Sequence, residues 1–297
     1  MGARRLSDSL WLVDTGSPYD CHVYVIDGGT AAALVDCGTG IATDGLLDGI
    51  DATDCLDRLS HVLLTHYHAD HAGGAAALRA ERDVRVLASA ETAAALAAGD
   101  EERTQVAAAR AAGIYPADYR YPACPVDEVV SDGATLRVGQ LLVDVHASPG
   151  HCDGHLCFLV DDGDRRALCT GDAIFSGGRI SIQPIPDCSP YVYARTAQRL
   201  AELPVDALLP GHLDLVLSDG AAHLARAAES FRRLVPPPNI VTGDGAPVDV
   251  DDRHPTGHDG VRRCPDDAGA GRITDSGGGG ACRRRSRRAR PRTRPPG

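Results

Sequence analysis

The stretch Thr65-His66-Tyr67-His68-Ala69-Asp70-His71-Ala72-Gly73-Gly74 places three histidines and one aspartate within six consecutive positions. A packed core has no use for that density of imidazole and carboxylate. A metal does, and this donor set suits zinc, iron or manganese. The run just before it, Val62-Leu63-Leu64-Thr65, reads as a buried strand. His66 and His68 therefore leave the strand end with the same facing, because side chains alternate with period two. Asp70 and His71 fall in the following turn, or in the first residues of an alanine-rich helix expected over 72–79. Two ligand pairs slightly offset from each other can serve two adjacent metals. Gly73 and Gly74 let backbone pass close to such a cluster.

Positioning these groups requires a framework of strands. Segments 22–26 and 31–36 flank Asp27-Gly28-Gly29, a strong hairpin signal. A second hairpin is expected over 136–138 and 141–146, closed by Ser148-Pro149-Gly150-His151. A third, over 156–160 and 167–170, ends at Gly171-Asp172, and a short buried strand over 205–209 ends at Pro210-Gly211-His212. His151, Asp172 and His212 thus each come after a strand and adjoin glycine, where ligands converge on a sheet edge. The first and third hairpins share a plan of strand, Asp/Gly turn, strand and exit acid (Asp36, Asp172), which suggests two similar sheet halves facing each other. Helices are expected over 44–58 (weakly), 90–98, 191–203 and 221–234, and a further strand over 83–88. Asp36 is a candidate to hold a ligand histidine from behind. His155 reads as a supporting or surface histidine. Tyr115, Tyr119 and Tyr121 fall within seven residues, either as a substrate wall or as a loop packing against the body. Arg179 is either an anchor for a substrate carboxylate or an exposed turn arginine.

The chain of 297 residues is 43% hydrophobic but only 4% aromatic, so Ala, Leu and Val must fill the core. All 30 basic residues are arginine. From Ile240 onward twelve arginines face eight aspartates, leaving 18 arginines against 33 acids before it. So acidic a body disfavours nucleic acid, whose phosphates need clustered cations. No apolar run approaches a membrane span, and none reads as a secretory signal. The ten cysteines contain no CxxC pair, so they are expected as reduced thiols in a cytoplasmic protein. The expected organisation is a domain over 1–238 and an Arg/Gly/Pro-rich, disordered tail over 239–297. A homodimer stays open.

Residues 65–74 resemble the HxHxDH signature of the metallo-β-lactamase superfamily. Ser148-Pro149-Gly150-His151, Thr170-Gly171-Asp172 and Pro210-Gly211-His212 match its later motifs in order. The resemblance spans roughly residues 10–235 and implies an α/β fold, an αββα four-layer sandwich with a metal cleft at one sheet edge. It implies one metal held by His66, His68 and His151, a second by Asp70, His71 and His212, and Asp172 bridging them. Two divalent metals, zinc before manganese or iron, would share a hydroxide that cleaves a small thioester, ester or lactone, with Asp70 orienting the nucleophile. The bridging position is Asp172 rather than the cysteine of well-known zinc β-lactamases, which argues against antibiotic hydrolysis. The Asp-bridged pattern resembles the hydroxyacylglutathione hydrolase and lactonase branch. Two alternatives are a persulfide dioxygenase-like enzyme with one iron and a phosphodiesterase acting on nucleic acid.

Overall fold

The computed structural model describes residues 2–241; the tail expectation otherwise lies outside the described residues. Seven strands form the first sheet in sequence order: β1 (Ala3–Arg5), β2 (Leu10–Val13), β3 (Val23–Asp27), β4 (Ala32–Val35), β5 (Leu59–Leu63), β6 (Arg85–Ala88) and β7 (Glu128–Val129). β1 to β4 pair antiparallel, and β4 to β7 parallel. The second sheet contains β8 (Thr135–Val138), β9 (Leu141–Ala147), β10 (Leu156–Asp161), β11 (Arg166–Gly171) and β12 (Ala207–Pro210). Only the β11–β12 pair is parallel in it.

The alternation of each strand sorts its side chains into separate cores. On β10, Leu156, Phe158 and Val160 face the space between the sheets, while Cys157 and Leu159 face outward. On β3, Tyr24 and Ile26 point inward between the sheets, and Val23 and Val25 outward. The outer face of the first sheet is covered by α1 (Thr43–Asp51), α2 (Ala69–Ala72), α3 (Ala75–Glu81), α4 (Ala90–Ala98) and α5 (Val106–Ala111) through Leu46, Ala72, Leu78, Leu96 and Val106. That of the second is covered by α6 (Pro190–Leu200) and α7 (Gly220–Arg232) through Ala197, Leu200, Leu224 and Ala227. The result is the expected αββα sandwich. Small residues such as Ala32, Ala33, Ala95 and Ala227 are fully or nearly fully buried, as a core poor in aromatics requires.

Two local expectations change. The helix expected over 72–79 is split into α2 and α3 at Gly73-Gly74. There the chain runs so close to its neighbour that a Cβ on Gly74 would lie 2.2 Å from the Cys37 carbonyl oxygen. The body also extends past the boundary set at 238. Asn239 accepts the Ile182 N–H at 3.0 Å and donates to the Ile182 carbonyl at 2.8 Å, and the Ile240 N–H reaches the Ile180 carbonyl at 2.9 Å. No helix among the described residues is long and apolar enough to cross a membrane.

Candidate metal centre

The strands bring seven widely spaced residues to one edge. His66 and His68 come after β5, and His68 caps α2, which carries Asp70 and His71. His151 lies in the turn from β9 to β10, Asp172 comes after β11, and His212 after β12. His66, His71 and Asp172 form one ligand-sized cluster, and Asp70, His71 and His212 another. His66, His68 and His151 form a third, joined by Cys152.

The hydrogen bonds fix which ring nitrogens face inward. Thr65 Oγ1 donates to the Asp36 carboxylate (2.8 Å), so its oxygen can accept from His66 Nδ1 at 3.0 Å. The same carboxylate accepts the Thr65 N–H (2.8 Å) and His71 Nδ1–H (2.8 Å). His151 Nδ1–H donates to the Ser181 carbonyl at 3.0 Å. The His66 and His151 rings therefore hold their proton on Nδ1 and turn a bare Nε2 toward the cluster, and His71, with Nδ1–H on Asp36, turns its Nε2 the same way. His66 Nε2, His71 Nε2 and Asp172 Oδ1 are buried without a hydrogen-bond partner. His151 Nε2 and His68 Nδ1 approach to 3.0 Å. Asp172 Oδ1 lies 3.3 Å from His71 Nε2 and 3.4 Å from His212 Nε2, and Asp172 Oδ2 lies 3.6 Å from His151 Nε2. Asp70 Oδ2 sits 3.1 Å from His212 Nε2. Buried lone pairs converging without donors are costly, and a shared cation relieves them. This donor set fits divalent metals.

Electrostatics point the same way for the metal-free protein. Burial, reinforced by neighbouring rings, lowers the affinity of His66 for protons well below the histidine range. Burial takes His68 to about 3 and also lowers His151. These imidazoles are neutral, as ligands must be. His71 is the exception. Burial opposes its charge, but Cys21, Asp70, Asp172 and Asp36 together raise it well above the ordinary value. Burial also opposes ionisation of Asp70, yet His71 and His212 bring it down to about 2. Asp172 stays well below the carboxylate range for the same reasons. His212 and Asp70 are 32% and 21% exposed, so the cluster opens to solvent on their side.

Other site expectations meet mixed placements. Asp36 sits behind His71, buried, in a left-handed conformation (φ +60°). Tyr119 is buried and donates to the Thr39 carbonyl at 2.9 Å, and Tyr121 donates to the Tyr67 carbonyl at 3.0 Å. These two pack against the body. Tyr115 is half-buried between Tyr19 and Tyr119 (ring centroids 6.1 and 5.1 Å), close enough to Asp70 for that carboxylate to add to burial in raising its hydroxyl. Arg179 lies half-buried on the loop after Asp172, where its carbonyl accepts the Phe175 N–H at 2.9 Å.

Three supporting residues carry no local signal strong enough to give their role. His155 is fully buried: its Nε2 accepts the Asp172 N–H at 3.1 Å, its Nδ1–H meets Ser148 Oγ at 2.7 Å, and its ring stacks on His66 at 4.9 Å. The Tyr193 hydroxyl lies 2.7 and 2.5 Å from the Asp172 and Ala173 carbonyls. Gly211 leaves no room for a Cβ, which would stand 2.6 Å from His71 Cε1 and 2.8 Å from Asp172 Oδ1.

Comparison with known proteins finds relatives along most of the chain. The human acyl-coenzyme A thioesterase MBLAC2 is 29% identical over 229 residues, covering 71% of this chain and 78% of that protein. The hydroxyacylglutathione hydrolase of Acidiphilium cryptum is 31% identical over 224 residues, covering 72% and 76%. A metallo-beta-lactamase from Cronobacter sakazakii shares the fold at a TM-score of 0.62 and 19% identity, over 79% of this chain and 96% of that one. The model of the Metallo-beta-lactamase superfamily matches residues 16–212, a span that runs from the loop before β3 to His212 and takes in every residue of the cluster, and the chain belongs to that superfamily.

Proposed function

We propose that this metallo-hydrolase cleaves small acyl thioesters with two divalent metals, zinc before manganese or iron. The observation that carries the reading is the convergence of orphaned Nε2 atoms and of Asp172 Oδ1 on one point of the sheet edge. The thioesterase and hydroxyacylglutathione hydrolase names of the relatives support the substrate class. In this reading His66, His68 and His151 hold one metal, Asp70, His71 and His212 the other, and Asp172 lies between them. When bound, such metals acidify water and polarise a carbonyl.

The chain's own groups do the rest. Asp36, Thr65 and Ser181 hold Nδ1 of His71, His66 and His151 from behind, so Nε2 of each of these three rings is the atom left for a metal. Asp70, ionised and partly exposed, accepts a hydrogen bond from the attacking water and orients it. Water oxygen bonds to the carbonyl carbon, the carbon–sulfur bond breaks, and the thiolate takes up a proton, leaving a carboxylic acid and a thiol. Tyr115 walls the open side and Tyr119 supports it from behind, and Arg179, on the loop after Asp172, is the candidate contact for an anionic group of the substrate. The eight free cysteines among the described residues, seven of them buried, support a reducing, cytoplasmic setting.

The test combines metal analysis of the purified protein by mass spectrometry with thioester hydrolysis with and without chelator. About two divalent metals per chain and chelator-sensitive hydrolysis are expected. About one iron per chain and no hydrolysis would replace this reading with the dioxygenase alternative.

A further inference from the structure

A cavity of about 770 Å³ adjoins the metal centre, and none of the seven cluster residues lines it. It lies at the same sheet edge. Val13, the last residue of β2, pairs with Val23 at the start of β3, and the neighbouring Tyr24 pairs with Val35, one residue before Asp36. One wall is formed by the start of β1, the end of β2 and the loop from β2 to β3, and the other by the segment after His212. Both walls are tied to the centre. The Cys21 N–H donates to the Asp70 carbonyl at 3.2 Å, and the His22 N–H to the Gly211 carbonyl at 2.7 Å.

The lining has two features that select an occupant. Leu12, Leu213, Leu215 and Leu217 give it an apolar side, and Leu213 and Leu217 are large apolar residues left 42% and 39% exposed. Leu213, next to His212, is held at φ +65°, a left-handed conformation that is unfavourable for leucine and marks a constrained position. Second, the lining carries Asp14, Asp20 and Asp214 against a single arginine, Arg4. A net negative lining repels phosphate- or carboxylate-bearing carriers and accepts an uncharged chain. The volume falls within the range of small-molecule sites, about 300–1,000 Å³.

We infer that this groove binds the uncharged acyl chain of the substrate, leaving the carrier thiol outside it; the inference rests on the thioester reading for its substrate. Selectivity should then rise with acyl length by about fourfold per methylene until the groove is filled. The experiment uses the full chain loaded with metal. Binding of non-hydrolysable acyl thioethers of one thiol, from acetyl to myristoyl, is measured by calorimetry beside turnover of the matching thioesters. The Kd is expected to fall with chain length. Leu217→Asp, at an exposed position, is expected to reduce the myristoyl-to-acetyl preference at least tenfold. Asp214→Arg should strengthen binding of a thioether ending in a carboxylate. A Kd independent of chain length, or a Leu217→Asp variant that shifts every thioether equally, would overturn the groove assignment. Length-dependent binding without any thioester turnover would uphold the groove and refute the proposed reaction.

Discussion

Asp36 offers the sharpest test of how the centre is held. Its carboxylate accepts the Thr65 N–H, the Thr65 hydroxyl and His71 Nδ1–H, with shortest distances of 2.8 Å. Asp36→Asn keeps the shape and tolerates φ +60°, since Asn, like Asp, visits that region. One amide oxygen can still serve Thr65. The NH2 group then faces His71 Nδ1, which must accept, and the His71 proton moves to Nε2, toward the cluster. Losing such a carboxylate behind a ligand histidine typically costs about 10–100-fold in metal affinity, about 1.4–2.7 kcal/mol. The variant should purify with about one metal per chain after mild chelation, where the parent keeps about two. Metal retention against a graded chelator series, read by mass spectrometry, decides the matter. An Asp36→Asn protein that held its metals as tightly as the parent would refute the tautomer reasoning.

The same geometry carries three further outcomes. His155→Phe keeps the stack on His66 but leaves the buried Asp172 N–H without an acceptor, which should cost about 1–3 kcal/mol in chemical denaturation; His155→Gln should recover part, and equal stability of the Phe variant would remove His155 from its role. In the metal-free protein the carboxylates around His71 raise its affinity for a proton well above the ordinary value, so metal uptake competes with that proton. Uptake should release protons and weaken as pH falls; calorimetric heats that do not vary with the ionisation enthalpy of the buffer would contradict this. A chain ending at Val241 retains the Asn239–Ile182 pair and should match the full chain in stability. One ending at Pro238 loses that pair and the Ile240 contact beside Ser181, and should lose about 1–3 kcal/mol; no difference between the truncations would show that the pairing is dispensable.

Features set by neighbouring residues are legible in the sequence. The helix over 90–98 matches α4, with Ser89 capping its start and Gly99 in a left-handed turn at its end. The strand ends preceding Asp172 and His212 stand out because short, largely apolar strands stop there at Gly171 and Gly211. The features that escaped were non-local. Nothing near Tyr193 says that its hydroxyl reaches the Asp172 loop from α6, and nothing near His155 says that its ring completes the support of Asp172. β1 and β7 have three and two residues, too short to show a period. The three tyrosines of 113–122 look alike in sequence, and only tertiary contacts commit Tyr119 and Tyr121 to backbone carbonyls while leaving Tyr115 beside Asp70.

The two sheet halves repeat one plan, yet their exit acids do opposite work. β3–β4–β5 and β10–β11–β12 are each an antiparallel pair joined to a parallel strand, with an aspartate after the second strand and a histidine after the third. β4 runs in step with β5 from Ala33 to Val35, and Asp36 then turns its side chain back against Thr65 and His71, at the cost of a left-handed backbone. In the other half the register with β12 shifts at the exit end, between Cys169 and Gly171, and glycine takes the left-handed position (φ +46°) ahead of Asp172. A one-residue shift reverses the facing of the residues beyond it, and such irregularities re-aim side chains beside functional sites. The bulge accounts for why Asp172 faces the cluster while its counterpart Asp36 stands behind it. A single duplicated plan can thus yield one acid that faces the cluster and one that holds the ring of His71 from behind.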